Sequence, residues 1–455
     1  MVFNSARYAI HKSTQSYLHA KYSWRVCVHH ATYVYILNRI QFLLRAFVTW
    51  RYSGLNIPIM NHAPHCISVF KNARVRIGAP FILAALSLLS GCATASSRAA
   101  YCPPKGAWEK KPPAEAGFDA TKLAQAIAWA QTQPTDWPTD FSTQTEIFGK
   151  QLGPVPKTRA ATNGIILRHG YIVAEFGDVE AVDPSYSMAK SYLSTILGLT
   201  IDRGMIGDVH DEVGLLVKDG GYDMPHNSKV TWKHHATQSS EWQGELFGKS
   251  TTFVGKEEYG HAAAKPRNIQ EPGTFYEYND VRMNRLALSL LRLWQRPLPD
   301  VLKTEIMDPI GASNTWRYIP YDNAFVDVNG TMMGSVSGGT RWGGGLWMDS
   351  LDHARFGLLI SRDGNWNGKQ IISSQWIEQA TRPQGMNPEY GYLWWLNTTG
   401  RWPAAPKTCF SAQGAGDNSI WIDREHDLVV VWRWHKGAEV PAEFYKRILQ
   451  ALTDA

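Results

Sequence analysis

The sequence predicts an α/β protein, a sandwich of strands and helices with an α-rich region inserted in its middle. Three observations carry that prediction. Strand-like runs lie toward both ends of the chain, around residues 164–176 and 418–434. Helix-forming segments accompany them at both ends. The stretch between, residues 205–345, breaks into Gly-, Pro- and Trp-rich segments separated by shorter helical patterns. Apolar residues at 44% and charged residues at 19% suit a globular domain and exclude a disordered chain. Five Cys in 455 residues do not make a disulfide scaffold. With no 20-residue period and no low-complexity tract, a solenoid is excluded as well.

Asp119 is an N-cap type residue ahead of Ala-Thr-Lys-Leu-Ala-Gln-Ala-Ile-Ala-Trp-Ala, which predicts a helix over about 119–132. Gly164–Phe176 reads as two strands around a His169-Gly170 turn. Asp183-Pro184-Ser185 introduces a helix over Tyr186–Arg203 with a long apolar body. Further helices are expected over Val281–Trp294 and Asp349–Ile360. Asn418–Ile422 and Leu428–Trp434 flank Asp423-Arg-Glu-His-Asp427 as a hairpin, and Pro441–Leu452 is the closing helix.

The chain carries 46 Lys+Arg against 40 Asp+Glu, a net of +6. That suggests a polyanion binder until the charges are placed. Residues 1–91 hold ten of the basic residues and no acid, and the first acid is Glu109. The remainder has 36 basic and 40 acidic residues, a net of −4. Nothing in it calls for nucleic acid. Residues 77–90, IGAPFILAALSLLS, follow Lys71, Arg74 and Arg76 and precede Gly91-Cys92. A positive stretch, an apolar run of this length and a small-residue exit describe an export signal. The run is too short to cross a bilayer as a helix, which takes about 20 residues.

Leu89-Ser90-Gly91-Cys92 resembles the bacterial lipobox, which implies lipidation of Cys92 and a cell-envelope location, on the periplasmic side of a membrane, with the outer membrane favoured. An ordinary signal cut near Ala93–Ala95 is the alternative. A start at Met60 gives a leader of ordinary length, Met60–Gly91, so residues 1–59 read as an over-extended frame or else as a genuine N-terminal extension or membrane anchor. Residues 92–113 are small, polar and Pro-rich, as a tether is. The domain then spans 114–455. Export would leave Cys102 and Cys409 in an oxidising compartment, where they can pair or stay free.

Ser187-Met188-Ala189-Lys190 is the sharpest feature. Residues three apart share a helix face, so Lys190 Nζ can reach Ser187 Oγ. A serine hydroxyl needs a nearby base to become nucleophilic. Lysine serves as that base when burial or positive neighbours lower its pKa. No charged residue lies between Lys190 and Asp202, so the helix is a buried one.

Ser-Met-Ala-Lys followed by an apolar helix resembles the nucleophile helix of the class C β-lactamase-like superfamily. That group includes penicillin-binding proteins, β-lactamase-like esterases and aminohexanoate-dimer hydrolases. The resemblance implies a β-lactamase/transpeptidase-like fold, an antiparallel sheet flanked by helices with an α-rich subdomain inserted. It also implies a Tyr-x-Asn segment. Pro272-Gly-Thr-Phe-Tyr276-Glu-Tyr278-Asn279-Asp280 places Tyr278 on the catalytic tyrosine, with Tyr276 as the alternative. The usual Asn position is then Asp280, beside Asn279, and both are candidate substrate-binding residues.

A third element, Lys-Thr-Gly or His-x-Gly in relatives, is met by Phe410-Ser-Ala412-Gln413-Gly414-Ala415-Gly416. Ala412 stands where the cation would be. Gly414, Ala415 and Gly416 are assigned to the substrate-lining strand, with the Ser187 and Ala415 amides as the oxyanion hole. Segments Val230–Ser240 and Trp342–Gly357 also resemble the family.

The reading is therefore an exported serine hydrolase that cleaves an ester or amide through a Ser187 acyl-enzyme, with Lys190 and Tyr278 moving the proton. No cofactor and no metal are expected: His210, His226, His234, His235, His261 and His353 show no metal-binding spacing. Loss of the cation at Ala412 disfavours β-lactamase or D-Ala-D-Ala carboxypeptidase activity. A non-catalytic protein that binds cell-envelope peptide in the same cleft is the reading from another class.

Overall fold

The computed structural model describes residues 101–141, 150, 152–252, 267–338, 345–437 and 439–453. The expectations for Met60, the export signal and Cys92 fall outside them. The helices that position the site are α1 (Ala120–Gln131), α2 (Ala189–Asp202), α3 (Trp232–Ala236), α4 (Asp280–Trp294), α5 (Ser350–Ser361), α6 (Ser374–Ala380) and α7 (Val440–Gln450). The strands are β1 (Asn163–Arg168), β2 (Tyr171–Phe176), β3 (Asp183–Pro184), β4 (Arg317–Tyr318), β5 (Leu346–Met348), β6 (Trp395–Leu396), β7 (Phe410–Gly414), β8 (Asn418–Asp423) and β9 (Leu428–Arg433).

Successive side chains of a strand point to opposite faces, and here the alternation sorts one sheet into two cores. On β9, Leu428, Val430 and Trp432 join one apolar cluster while Val429 and Val431 join the other. Strands β1, β8 and β9 are buried at every position, as expected of strands covered on both faces. The sheet is antiparallel in the order β6-β7-β8-β9-β1-β2. Residues of α1 and α7 pack on one face and those of α2 and α5 on the other. This is the β-lactamase/transpeptidase-like arrangement that the resemblance implied.

The helix boundaries have local causes. Asp119 accepts from the Thr121 and Lys122 amides and starts α1 where expected. Apart from Lys190 and the terminal Asp202, helix α2 carries only uncharged side chains, and it is buried from Ala189 to Thr200. At Gly198 an added Cβ would lie 2.3 Å from the Trp376 ring, so only glycine lets α6 close over α2. The inserted region between α2 and β5 carries α3 and α4, with two short strand pairs at 245–250 and 325–334. A small second sheet, β3-β5-β4, runs beneath the start of α2.

The end of the expected tether is part of the domain. Lys111 N donates to Ile172 O at 2.9 Å and Ile172 N to Glu109 O at 3.2 Å, so Lys110 bridges β2 in parallel. Tyr101 stacks on Tyr171, and Arg355 donates to the Pro103 and Pro104 carbonyls. Residues 101–113 therefore dock along the sheet edge, and the rest of the expected tether lies outside the described residues. The two cysteines of the possible disulfide are both free thiols. Cys102 sits in the core cluster of α2 and Cys409 in that of α7, on opposite faces of the sheet.

Candidate active site

The chain reaches Ser187 through a strained turn. Tyr186 has φ +47°, a region costly for an aromatic residue, and Tyr186–Met188 form a single 3-10 turn ahead of α2. Packing holds the turn in place. Tyr186 is buried among Trp137, Trp347 and Trp434. Ser185 Oγ hydrogen-bonds His353 Nε2 at 3.1 Å, and His353 Nδ1 meets Tyr192 OH at 2.8 Å. Below it, fully buried Arg433 donates to Pro184 O, Met348 O and Asn418 Oδ1. This single guanidinium ties β3, β5 and the start of β8 together. Ser187 stays half-exposed while residues 183–186 and 188–200 around it are buried.

Lys190 lies on the first turn of α2, one step along the same face. Its Nζ donates to Ser187 Oγ at 3.0 Å and to Asp280 Oδ1 at 2.6 Å. It stands 4.5 Å from the centre of the Tyr278 ring. The Tyr278 hydroxyl is within hydrogen-bonding reach of both Ser187 and Lys190. Tyr276, the alternative, instead packs edge-on against Tyr390 at 5.8 Å. Ser187, Lys190 and Tyr278 thus converge, as the motif spacing predicts.

The electrostatics depart from expectation. Burial by itself lowers the Lys190 pKa, but the Asp280 carboxylate, with Tyr278 beside it, outweighs burial and holds the ammonium above its usual pKa. Burial pushes the Tyr278 phenol up, partly offset by Lys190. Burial pushes Asp280 up too, and the ion pair with Lys190 pulls it back. Lys190 is therefore a cation at rest, not the lowered-pKa base that the burial of its helix suggests.

The two candidate substrate binders have other tasks. Asn279 is fully buried and caps α4: its Oδ1 accepts from Arg282 N, and its Nδ2 donates to Thr251 O at 2.9 Å. With its amide committed to these partners, it is not free to hold a substrate amide. Asp280 is spent on Lys190. Behind them Arg282 and Arg267 share the buried Glu241 and the Glu277 carboxylate, which fixes the loop that presents Tyr278.

Strand β7 supplies the opposite wall. Gly414 comes so close that a Cβ there would lie 2.4 Å from Ser185 O and 3.2 Å from Ser187 N. The glycine is what lets the strand end approach the Ser187 amide. Gly416 and Asp417 take left-handed conformations in the turn to β8, and half-buried Ala415 packs on the tryptophan cluster at Tyr186. Beyond Tyr278, Trp395 stacks on its ring at 5.9 Å and Arg401 covers Trp395 at 4.8 Å. Arg401 carries no signal in the sequence, because its spacing to the motifs is set by the fold. The pairing of Lys190 with Asp280 had a signal in the acid that replaces asparagine. Among the described residues no group of three or more His, Cys, Asp or Glu could hold a metal ion.

A sheet of this order with a Ser-x-x-Lys turn under its β7 edge defines a β-lactamase-like serine hydrolase. The beta-lactamase family model matches residues 180–455, well over half of the sequence, and the chain belongs to that family. A protein from Bacteroides dorei DSM 17855, provisionally classed as a beta-lactamase, superposes with TM-score 0.52 at 13% identity and covers 74% of this chain and 100% of its own. A provisionally assigned 6-aminohexanoate-dimer hydrolase from Bacillus anthracis gives 0.48 at 15% identity, covering 77% and 98%. EstCE1, a hydrolase with promiscuous acyltransferase activity, gives 0.49 at 14%, covering 73% and 99%. No curated protein matches the chain.

Proposed function

We propose that the chain is an exported esterase or amidase that works through an acyl-enzyme on Ser187. The observation that carries this is the Ser187–Lys190 contact of 3.0 Å, with the Tyr278 hydroxyl beside it. Ser187 Oγ adds to the ester or amide carbonyl. Its proton leaves by way of Lys190 and Tyr278 and returns by the same route to the leaving group, and water then releases the acid. The amides of Ser187 and Ala415 are suited to stabilise the oxyanion. The resemblance puts Ala412 at the position where relatives carry a cation for the substrate carboxylate, which favours an acyl compound other than a penicillin. The close 2.6 Å ion pair inside the site speaks against a retired cleft that only binds peptide, since a binding protein has no need for a buried ammonium beside a serine.

The test offers p-nitrophenyl esters, aminohexanoate dimer and nitrocefin to the protein and to Ser187→Ala. Ester or dimer turnover that disappears in Ser187→Ala is expected. Nitrocefin turnover at a matching rate would move the function to β-lactam hydrolysis, and silence toward all three would return the peptide-binding reading.

We further propose that Cys92 carries a lipid and anchors the domain to the cell envelope, on the sequence of residues 71–92 alone. Mass spectrometry of the native protein should find Cys92 as an acylated N-terminus. A peptide that runs through Gly91-Cys92 intact would overturn this.

A further inference from the structure

Of the side chains that the described contacts place on Lys190, only Asp280 is an anion. Lys190 already carries its full set of protons and Tyr278 keeps its phenolic one. An ammonium cannot take the Ser187 proton unless it gives one away. Its shortest hydrogen bond, 2.6 Å to Asp280 Oδ1, gives that proton a place to go. Asparagine, the residue implied by resemblance at this position, can accept a hydrogen bond but cannot hold a proton.

We propose that Asp280 is the proton reservoir of this site, taking a proton from Lys190 while Lys190 takes one from Ser187. The inference rests on the Ser187 acyl-enzyme reading. In the step, the Ser187 O–H bond breaks and the Oγ–carbonyl bond forms. The carbonyl electron pair moves to oxygen. Lys190 gains one proton and loses one, so it stays an ammonium. Asp280 becomes a neutral acid, and its lost charge reappears on the oxyanion. On collapse, the proton returns through Lys190 or Tyr278 to the leaving group as its bond to carbon breaks. Burial of Asp280 among Lys190 from α2, Tyr278 from its own loop and Tyr390 from the segment before β6 makes the neutral acid accessible. Because Asp280 acts through Lys190, it is a positioning residue, and the pH profile is the readout that separates proton holding from mere support.

The test measures the pre-steady-state acylation rate with a p-nitrophenyl ester from acid to alkaline pH, for the full chain, Asp280→Asn and Asp280→Glu. The wild type should lose rate as pH falls and Asp280 is protonated. Asp280→Asn should lose on the order of a hundredfold at neutral pH. Its Asp280 limb should vanish, and the rate should instead follow the loss of a proton from Lys190 to solvent, at a pH that the burial of this lysine sets. Asp280→Glu should recover part of the neutral rate with a displaced acid limb. Asp280→Asn with the wild-type limb and a rate within about threefold would overturn the inference and leave the Ser187 reading intact. Should Asp280→Asn fail to fold, an Asp280→Glu limb identical to wild type would overturn it. A wild type that no ester acylates removes the Ser187 reading and this inference with it.

Discussion

Gly414 shows how little room the site leaves. An alanine methyl there would sit 2.4 Å from Ser185 O, so β7 or the nucleophile turn must move. Neither neighbour is a flexible side chain, and displacements of about 1 Å in a reacting geometry cost about a hundredfold in rate. Gly414→Ala should therefore lose acylation by about that factor while remaining folded, as seen by unchanged circular dichroism and a thermal midpoint lowered by a few degrees. A Gly414→Ala enzyme with wild-type rates would show that the strand edge takes no part in aligning Ser187. The residues that converge here were legible as letters: Ser187, Lys190 and Tyr278 follow from spacing and resemblance. Their charge states were not. Burial of Lys190 could be read from the apolar run after it, but its carboxylate partner lies 90 positions away, and only the fold sets the 2.6 Å between them.

At the scale of elements, the hairpin from β7 to β8 carries a cost that pH exposes. Asp417 sits in its left-handed turn at φ +58° and accepts from Gly437 N at 3.1 Å. Burial, reinforced by Asp136, raises its carboxyl pKa to about 6. A raised carboxyl holds its proton more tightly folded than unfolded, so its stabilising contribution is present below the ordinary value of 3.8 and is lost as pH rises through about 6. Asp417→Asn keeps the turn, since Asn tolerates this conformation, and removes the loss. It should be more stable than wild type at pH 7.5, by about 1 kcal/mol once solvent screening is allowed for, and equal to it near pH 4. Thermal unfolding at the two pH values checks this, and a gain of the same size at both would show that the charge is not its source. The next hairpin, β8 to β9, is legible from its turn residues and strand pattern, as α1, α4 and α5 are from caps and periodicity. The docking of 101–113 is not, because Pro-rich polar sequence specifies no partner and the contacts come from Ile172 and Arg355 far along the chain.

At the scale of the whole molecule, the charge of +6 divides into a basic, acid-free first 91 residues and a remainder of net −4. The described part carries its chemistry on one sheet edge, with the strained Tyr186 turn beneath it and the Tyr278 loop, braced by Glu241, Arg267 and Arg282, beside it. The six-stranded order could not be read from the sequence, because β6 joins as a two-residue edge strand and β1 pairs with β9 across most of the chain. The central claim is that this architecture makes Ser187 a nucleophile. The most direct test treats the full chain with a fluorophosphonate and maps the adduct by peptide mass spectrometry. Stoichiometric modification of Ser187 is expected, absent in Ser187→Ala and slowed in Lys190→Ala. An unmodified Ser187, or label confined to another residue, would contradict it.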